Sequence, residues 1–291
     1  MDDRDWLAER FEEHRPRLRA VAYRMLGSTG EADDAVQEAW ILLSRSNTGA
    51  IENLEAWLVT VVGRVALNML RSRRRRREEP LDVRLPDPIV DPARGVDPEH
   101  EALLADSVGL ALLVVLERLT PAERLAYVLH DMFAVPFEQI GAILERSPDA
   151  ARQLASRGRR RIRGADPTPD ADPAAQLHVV EAFLAAAREG NFEALVAMLD
   201  PDVVRRADDG SGVIVQTRGV EHVLQGARAA VQLGLDARPA LINGAAGWVA
   251  LRDEQVFAIA ALTVQRGRIT AMDILVDPAR LADVDITVLD N

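Results

Sequence analysis

Apolar residues recur at three- and four-residue intervals through the first 165 positions, whereas alternation and short apolar runs take over near the end; the chain therefore predicts helices first and a sheet last. Trp6, Leu7 and Phe11 predict a helix over residues 3–14. Leu18, Val21, Ala22 and Met25 predict another over 16–26, opened by Pro16 and closed by Gly27. Ser28-Thr29-Gly30-Glu31 is a capping-box pattern that starts a third helix, 31–45, with a seam of Ala32, Ala35, Val36, Ala39, Leu42 and Leu43. Its other face carries Asp33, Asp34, Gln37 and Glu38. A fourth helix begins near Asn53 and runs through Leu58, Val62 and Met69 straight into Arg71 and Arg73 to Arg77.

From Glu78 to Glu101 there are five prolines among many acids, which predicts an extended linker poor in regular structure. Asp97-Pro98-Glu99 then offers a cap, and Leu103, Val108, Leu112, Val115, Leu116 and Leu119 resume the helical spacing. Phe137 to Leu144 is a short amphipathic helix, followed by a tight turn at Glu145-Arg146. Ser147 is a natural N-cap and Pro148 suits the first helical position. The helix they open has a narrow stripe of Ala151, Leu154, Ala155, Gly158 and Ile162. Arg152, Gln153, Ser156, Arg157, Arg159, Arg160 and Arg163 point away from it. The pair reads as a helix-turn-helix whose free face offers donors to base edges and phosphates.

A second break, Gly164 to Pro173, precedes a different grammar. Helices are expected at 174–189 and 192–199, a strand at 203–206 and a helix at 219–231. Strands follow near 237–243, 247–252, 255–265 and 268–276, giving an α+β cone with a curved antiparallel sheet. The domains expected are 1–79, a linker 80–100, 101–164, a linker 165–173, and 174–291.

Charge changes this picture in one respect. The net charge is −11, yet the 35 cations are all arginines and they cluster at two helix ends, which favours local phosphate contact on an otherwise anionic chain. There is no cysteine, and His14, His100, His130, His178 and His222 show no metal-ligand spacing, so no metal and no cofactor are expected. No apolar run approaches a membrane span, and a cytoplasmic location with no membrane partner is the expectation.

Three motifs in order then carry a resemblance. Glu31-Ala32-Asp33-Asp34-Ala35-Val36-Gln37-Glu38-Ala39-Trp40 resembles the D-A-E-D-x-V-Q-E-x-W signature of region 2 of extracytoplasmic-function sigma factors. Ala56-Trp57-Leu58 with Asn68 to Arg75 is similar to that family's promoter-melting helix. Leu119 to Arg124 with the helix-turn-helix is similar to region 4. The resemblance implies a multidomain fold: two all-α sigma domains, a region 2 helical bundle and a region 4 helix-turn-helix, and then an α+β SnoaL-like (nuclear transport factor 2-like) cone. It implies an alternative sigma factor that binds core RNA polymerase and directs transcription from promoter DNA. Asp33, Asp34, Gln37, Glu38 and Trp40 would meet the polymerase, although Trp40 reads equally as a core residue. Asn68, Arg71, Arg73, Arg74 and Arg75 would hold the minus-ten element. Arg152, Gln153, Ser156, Arg157, Arg159 and Arg160 would read the minus-thirty-five element.

The C-terminal part resembles a domain fused to one subgroup of these factors, where it regulates them. Leu85-Pro86-Asp87-Pro88 resembles the subgroup's W-L-P-E-P motif with Arg84 in place of tryptophan. Asp209-Gly210-Ser211-Gly212-Val213 resembles D-G-G-G-K, and Asp277-Pro278-Ala279-Arg280-Leu281 resembles N-P-D-K-L. The segments bearing Leu85 to Pro88, Asp209 to Gly212, Asp277 and Pro278 are thus implied to be regulatory. Two other readings stay open: a one-component DNA-binding regulator whose cone senses a small-molecule ligand, and a SnoaL-like enzyme with a DNA-binding appendage. In the last, Asp273 would point inward as an acid or base, helped by His222 and Arg252. No catalytic residue and no nucleotide hydrolysis are expected, since no G-x-x-x-x-G-K loop occurs.

Overall fold

The structure, a computed structural model, describes residues 3–46, 51, 53–76, 84–92, 109–163, 172–282 and 284. These group into two compact units. One holds residues 3–76 and 115–163; the other holds 84–92, 109–114 and 172–284.

The first unit opens with α1 (Asp3–Leu26), α2 (Thr29–Arg45) and α3 (Leu54–Arg76). Ser28 caps α2 by accepting from Glu31 N, one half of the capping box expected from the sequence, while the Glu31 carboxylate turns to Arg73. The seam expected from α2 is buried at Ala32, Ala35, Val36, Ala39 and Leu43, and it packs with Leu18, Val21 and Met25 of α1 and Leu58, Val62 and Ala66 of α3. Where two helices were expected around Pro16, a single helix runs through it. Pro16 and Glu12 both face solvent, so water can take the Glu12 carbonyl that proline leaves unbonded. Phe11 and Leu18 on either side are buried and hold the helix continuous.

After α4 (Leu110–Leu116) come α5 (Pro121–Tyr127), a π-helical turn Val128–Met132, α6 (Phe137–Leu144) and α7 (Pro148–Arg163). Thr120 and Glu123 form a reciprocal capping box on α5. Glu145 takes a left-handed conformation between α6 and α7, and Ser147 Oγ accepts from Ala150 N at 3.2 Å. Ala151, Leu154, Ala155, Gly158 and Ile162 are buried, the stripe read from the sequence. Three polar contacts tie this half of the unit to the α1–α3 bundle. Arg124, 2% exposed, donates from Nε to the Arg24 carbonyl at 3.1 Å and from its guanidinium to Glu117 at 2.7 Å. Arg17 donates to the Phe133 carbonyl and Arg64 to the Ala142 carbonyl.

The second unit is α+β. It comprises β1 (Val90–Pro92), α8 (Pro173–Glu189), α9 (Phe192–Met198), β2 (Leu199–Asp208), β3 (Ile214–Arg218), α10 (Val220–Gln232), β4 (Asp236–Ile242), β5 (Ala245–Arg252), β6 (Gln255–Gln265), β7 (Arg268–Leu275) and α11 (Pro278–Leu281). The strands form one sheet in the order β1-β4-β5-β6-β7-β2-β3. One face packs under the helices: Val180, Phe183, Leu184, Leu195, Val223 and Leu224 meet Val203, Ala207, Ala260, Leu262, Met272 and Ile274. The alternate strand residues, among them Ile259, Ala261, Ala271 and Leu275, are buried on the opposite side.

Three expectations for this unit need correction. The sheet is mixed rather than antiparallel, because β2 runs parallel to β7, its neighbour more than sixty residues later in the chain. β3 was unforeseen: its exposed Val215 and Gln216 blur the alternation of an edge strand. The segment around 85–92 is extended as expected, yet it is not poor in structure, for Val90–Pro92 adds an antiparallel edge strand to β4. Pro92 is tolerated there because an edge strand need not donate on its outer side.

Candidate functional site

The acid-rich face of α2 follows from its period. With the alanine seam turned inward, Asp33, Asp34, Gln37 and Glu38 are all exposed. Asp33 is paired with Arg19 at 2.7 Å, while Asp34, Gln37 and Glu38 have no partner among the described residues. Trp40 is half-buried, its ring 5.1 Å from that of Phe11, so it packs against α1 and keeps an exposed edge.

Along the end of α3, Asn68, Arg71, Arg74 and Arg75 are exposed. Arg73 is different. Its guanidinium pairs with Glu31 at the start of α2 and donates to the Leu26 carbonyl, which ties it to the bundle rather than to solvent.

Along α7, Gln153, Ser156 and Arg160 form an exposed line at helical spacing. The other arginines meet acids. Arg152 pairs with Asp149 at 2.6 Å and lies over the Phe137 ring. Arg157 reaches Glu123 at 3.3 Å, Arg161 reaches it at 2.7 Å, and Arg159 lies 3.3 Å from Asp131. Burial opposes ionisation of Glu123, but hydrogen bonds from Thr120 and the Arg161 and Arg157 charges outweigh it and hold the carboxyl below its ordinary range. Burial pushes the Asp131 carboxyl up, against the opposing pull of Arg159 and His130.

The second unit gathers the three short marker segments at one place. Leu85, Pro86 and Pro88 are buried and Asp87 is half-buried. Arg280 donates to Asp87 Oδ1 at 2.5 and 2.9 Å, to Asp208 Oδ2 at 2.9 Å and to the Leu85 carbonyl at 2.7 Å. Asp208, 1% exposed, accepts in turn from Leu85 N at 2.8 Å and from Gly210 N at 3.1 Å. Ile89 and Asn243 exchange two further bonds. Gly210, with φ +81°, sits so close to Asp277 that an added Cβ would stand 2.6 Å from its carboxyl carbon. Asp277 itself caps α11 through Ala279 N, with Pro278 at the first helical position. Asp209 and Ser211 are exposed, and bonds from Ser211 hold the Asp209 carboxyl below its usual range. Gly212 is the half-buried end of the loop, with φ +86°.

The sequence reading missed the hub of this cluster. Arg280 stands where the resembled motif has a lysine, and that cation was the available signal; Asp208 lies one residue before the motif it serves. The catalytic alternative loses its arrangement. Asp273 lies opposite the helix-covered face, held by Arg206 at 2.5 and 3.0 Å, while His222 and Arg252 are exposed. No group of metal-ligating side chains occurs among the described residues, and no helix there is long and apolar enough to cross a membrane.

Comparison with known proteins agrees with this arrangement. Family models for Sigma-70 region 2 and for Sigma-70, region 4 match residues 10–76 and 109–162. The probable ECF RNA polymerase sigma factor SigI of Mycobacterium tuberculosis is 33% identical over 287 residues, 97% of each chain. The ECF RNA polymerase sigma factor SigJ of the same organism is 37% identical over 284 residues, 92% of this chain and 91% of that one. The crystal structure of M. tuberculosis SigJ matches with a TM-score of 0.76 at 32% identity, covering 96% of this chain and all of the other. With exposed acids on α2, arginines at the tip of α3, a helix-turn-helix at α6 and α7 and a mixed α+β unit after them, the chain belongs to the extracytoplasmic-function sigma factors of the sigma-70 family.

Proposed function

We propose that the chain binds core RNA polymerase through Asp34, Gln37, Glu38 and the exposed edge of Trp40, with Asp33 shared between this face and Arg19. Asn68, Arg71, Arg74 and Arg75 hold the opened minus-ten strand, with Arg73 bracing the helix they stand on. Gln153, Ser156 and Arg160 read the minus-thirty-five element, flanked by Arg152, Arg157 and Arg159. Residues 1–79 serve as region 2 and 101–164 as region 4, joined by the linker 80–100; residues 174–291 regulate them after a second linker, 165–173. The work is done by binding energy, in the cytoplasm, without turnover of a substrate.

One observation carries a more specific reading: regions 2 and 4 lie in one packed unit, locked by the buried Arg124. The two promoter elements are separated by about 25 base steps, or about 85 Å at about 3.4 Å per step. A packed unit of roughly 130 residues has a radius of gyration of about 14 Å and a diameter near ~40 Å. The packed form cannot engage both elements, so it is a resting state that must open on the polymerase. The Arg280 cluster bears on the opening, because it pins residues 85–89, which lie between the two regions in the chain, to the cone. Its marker segments, Leu85 to Pro88, Asp209 to Gly212, Asp277 and Pro278, act as a latch.

The absence of cysteine permits a direct test. Arg64→Cys and Ala142→Cys, joined by a short bismaleimide across the contact between α3 and α6, should leave core-enzyme capture through α2 measurable. Promoter-dependent initiation should fall at least tenfold, and the unlinked double variant should initiate normally. Full initiation by the cross-linked protein would refute the opening step. A failure of the unmodified protein to co-purify with core polymerase, or its insensitivity to Asp34→Arg with Glu38→Arg, would refute the polymerase reading.

A further inference from the structure

The helix-covered face of the second unit carries three polar groups that find no partner among the described residues. Arg205 lies on β2 between Val203 and Ala207, both members of the apolar core. Across the ladders it stands opposite Thr217 of β3 and Met272 of β7. Residues opposed in this way share a face, so Arg205 and Thr217 point with Met272 toward the helices. α10 passes over them: a Cβ added at Gly226 would stand 3.8 Å from Arg205 Nε.

No described residue offers the Arg205 guanidinium an ion pair or hydrogen bond. Thr217 Oγ1 is buried without a partner among the described residues, and so is Trp248 Nε1. Trp248 shares the face through the register Trp248, Ala260, Ile274, Ala207. The neighbouring Arg206 sharpens the point. It faces the other way and is met there by Asp273, while the buried Asp208 is engaged by Arg280 and Leu85. The fold thus gives an acid to one of two adjacent arginines and withholds it from the other. Burial alone, with no opposing charge, pulls the Arg205 pKa below its ordinary value. Buried hydroxyl and indole groups ordinarily find partners, and three orphans on one face are donors lacking an acceptor.

We propose that this face is a binding site for a small, largely apolar organic carboxylate. The Arg205 fork takes the carboxylate side-on, Thr217 Oγ1 donates to one of its oxygens, and the apolar body lies along Met272, Leu262 and Ala260. Trp248 Nε1 meets a polar group at the far end. Three strand spacings separate β2 from β5, about 14 Å along the sheet, and the inward reach of both side chains shortens this to the length of a medium-chain or fused-ring acid. One guanidinium and one hydroxyl in apolar surroundings balance a single negative charge, which favours a carboxylate over a phosphate dianion. Gly226, placed inside a helix where glycine is otherwise unfavourable, leaves the space beside the guanidinium open.

The test uses the full chain, with binding read by calorimetry and by the thermal unfolding midpoint. Octanoate or 2-naphthoate should bind saturably and raise the midpoint, octan-1-ol should bind at least tenfold more weakly, and inorganic phosphate should leave the midpoint unchanged. Arg205→Met should lose at least tenfold in carboxylate affinity while its unliganded midpoint stays level or rises, because an unpaired cation has been removed. Gly226→Met should weaken binding by filling the space. The site is overturned if neither carboxylate binds at 10 mM (roughly the millimolar limit of weak specific binding), if octan-1-ol or phosphate binds as well as octanoate, or if Arg205→Met lowers the unliganded midpoint and keeps the affinity. The inference deepens the regulatory reading of the cone and rests on it only for its consequence in transcription. Failed carboxylate binding with intact initiation would sink the site alone, and failed initiation with intact binding would sink the sigma-factor reading alone.

Discussion

Two arginine runs that look alike in sequence end up in opposite electrostatic states. At the tip of α3, Arg71, Arg74 and Arg75 are exposed and meet no acid among the described residues. On α7, Arg157 and Arg161 share Glu123, Arg159 lies beside Asp131 and Arg152 pairs with Asp149, whereas Arg160, on the proposed reading line, has no ion pair among the described residues. The first run is a phosphate trap, attractive to any strand brought near it. The second is partly neutralised in advance, so on the proposed reading DNA would gain less from its charge and more from the donors of Gln153, Ser156 and Arg160. On the proposed reading, a recognition helix compensated in this way would discriminate bases at the cost of raw affinity, leaving phosphate capture to the tip of α3.

The largest effect expected from this contrast comes from removing the free run. Arg71→Ala, Arg74→Ala and Arg75→Ala together should flatten the salt dependence of binding to forked promoter DNA by about 2 in log–log slope, at about 0.7 per phosphate contact on single strands, and weaken binding by about 3 kcal/mol near 0.1 M salt. Arg157→Ala with Arg159→Ala should change the slope by less than about 1, since those charges are already compensated. Equal slopes from the two sets would erase the distinction. A smaller effect should follow from unmasking α7. Glu123→Gln keeps the shape but loses the charge that Thr120, Arg157 and Arg161 address, at about 2 kcal/mol of stability from a capping box and charge-assisted bonds. Binding to duplex of arbitrary sequence should tighten at the same time, measured by anisotropy at low salt. Smaller again, Arg160→Ala should cost about 1 to 2 kcal/mol on the cognate minus-thirty-five element and relax its sequence preference, whereas a uniform loss on all sequences would make it a phosphate contact.

Much of this molecule was legible in its sequence, for a physical reason that also marks the limit. The seams of α2 and α7 are local patterns, and Ala32 to Leu43 and Ala151 to Ile162 bury as their spacing requires. The Ser28 and Ser147 caps are equally local, each resolved within three residues; the Thr120–Glu123 capping box on α5 is just as local and went unread. What else escaped was set by partners distant in the chain. Arg73 reads as one of five adjacent cations until Glu31 meets it, and Asp273 reads as a candidate acid until Arg206 does. Arg280 gathers residues 85 and 87 from nearly two hundred positions away. β1 and β3 escaped because short edge strands carry weak alternation, and the run through Pro16 because packing at Phe11 and Leu18 overrides a local breaker.

The two acids that quiet α7 give the finest test, because the fold shifts their pKa values in opposite directions. The folded state holds the Glu123 carboxyl below its ordinary value of 4.5, so its ionised form favours folding. That contribution is complete above the unfolded value and is lost as the pH falls through the lower, folded one. Burial holds the Asp131 carboxyl above its ordinary value of 3.8, so the folded state prefers it protonated, and lowering the pH through that window relieves a penalty. Between pH 6 and pH 3 the thermal midpoint should therefore fall less steeply in Glu123→Gln than in the unmodified protein, and more steeply in Asp131→Asn. The same titration should raise non-specific duplex affinity in the unmodified protein as Arg157 and Arg161 lose their counter-charge, an increase that Glu123→Gln already possesses and cannot gain again. Three superimposable midpoint profiles would mean that neither acid is coupled to the fold as the geometry requires, and the contrast between the runs would reduce to exposure alone.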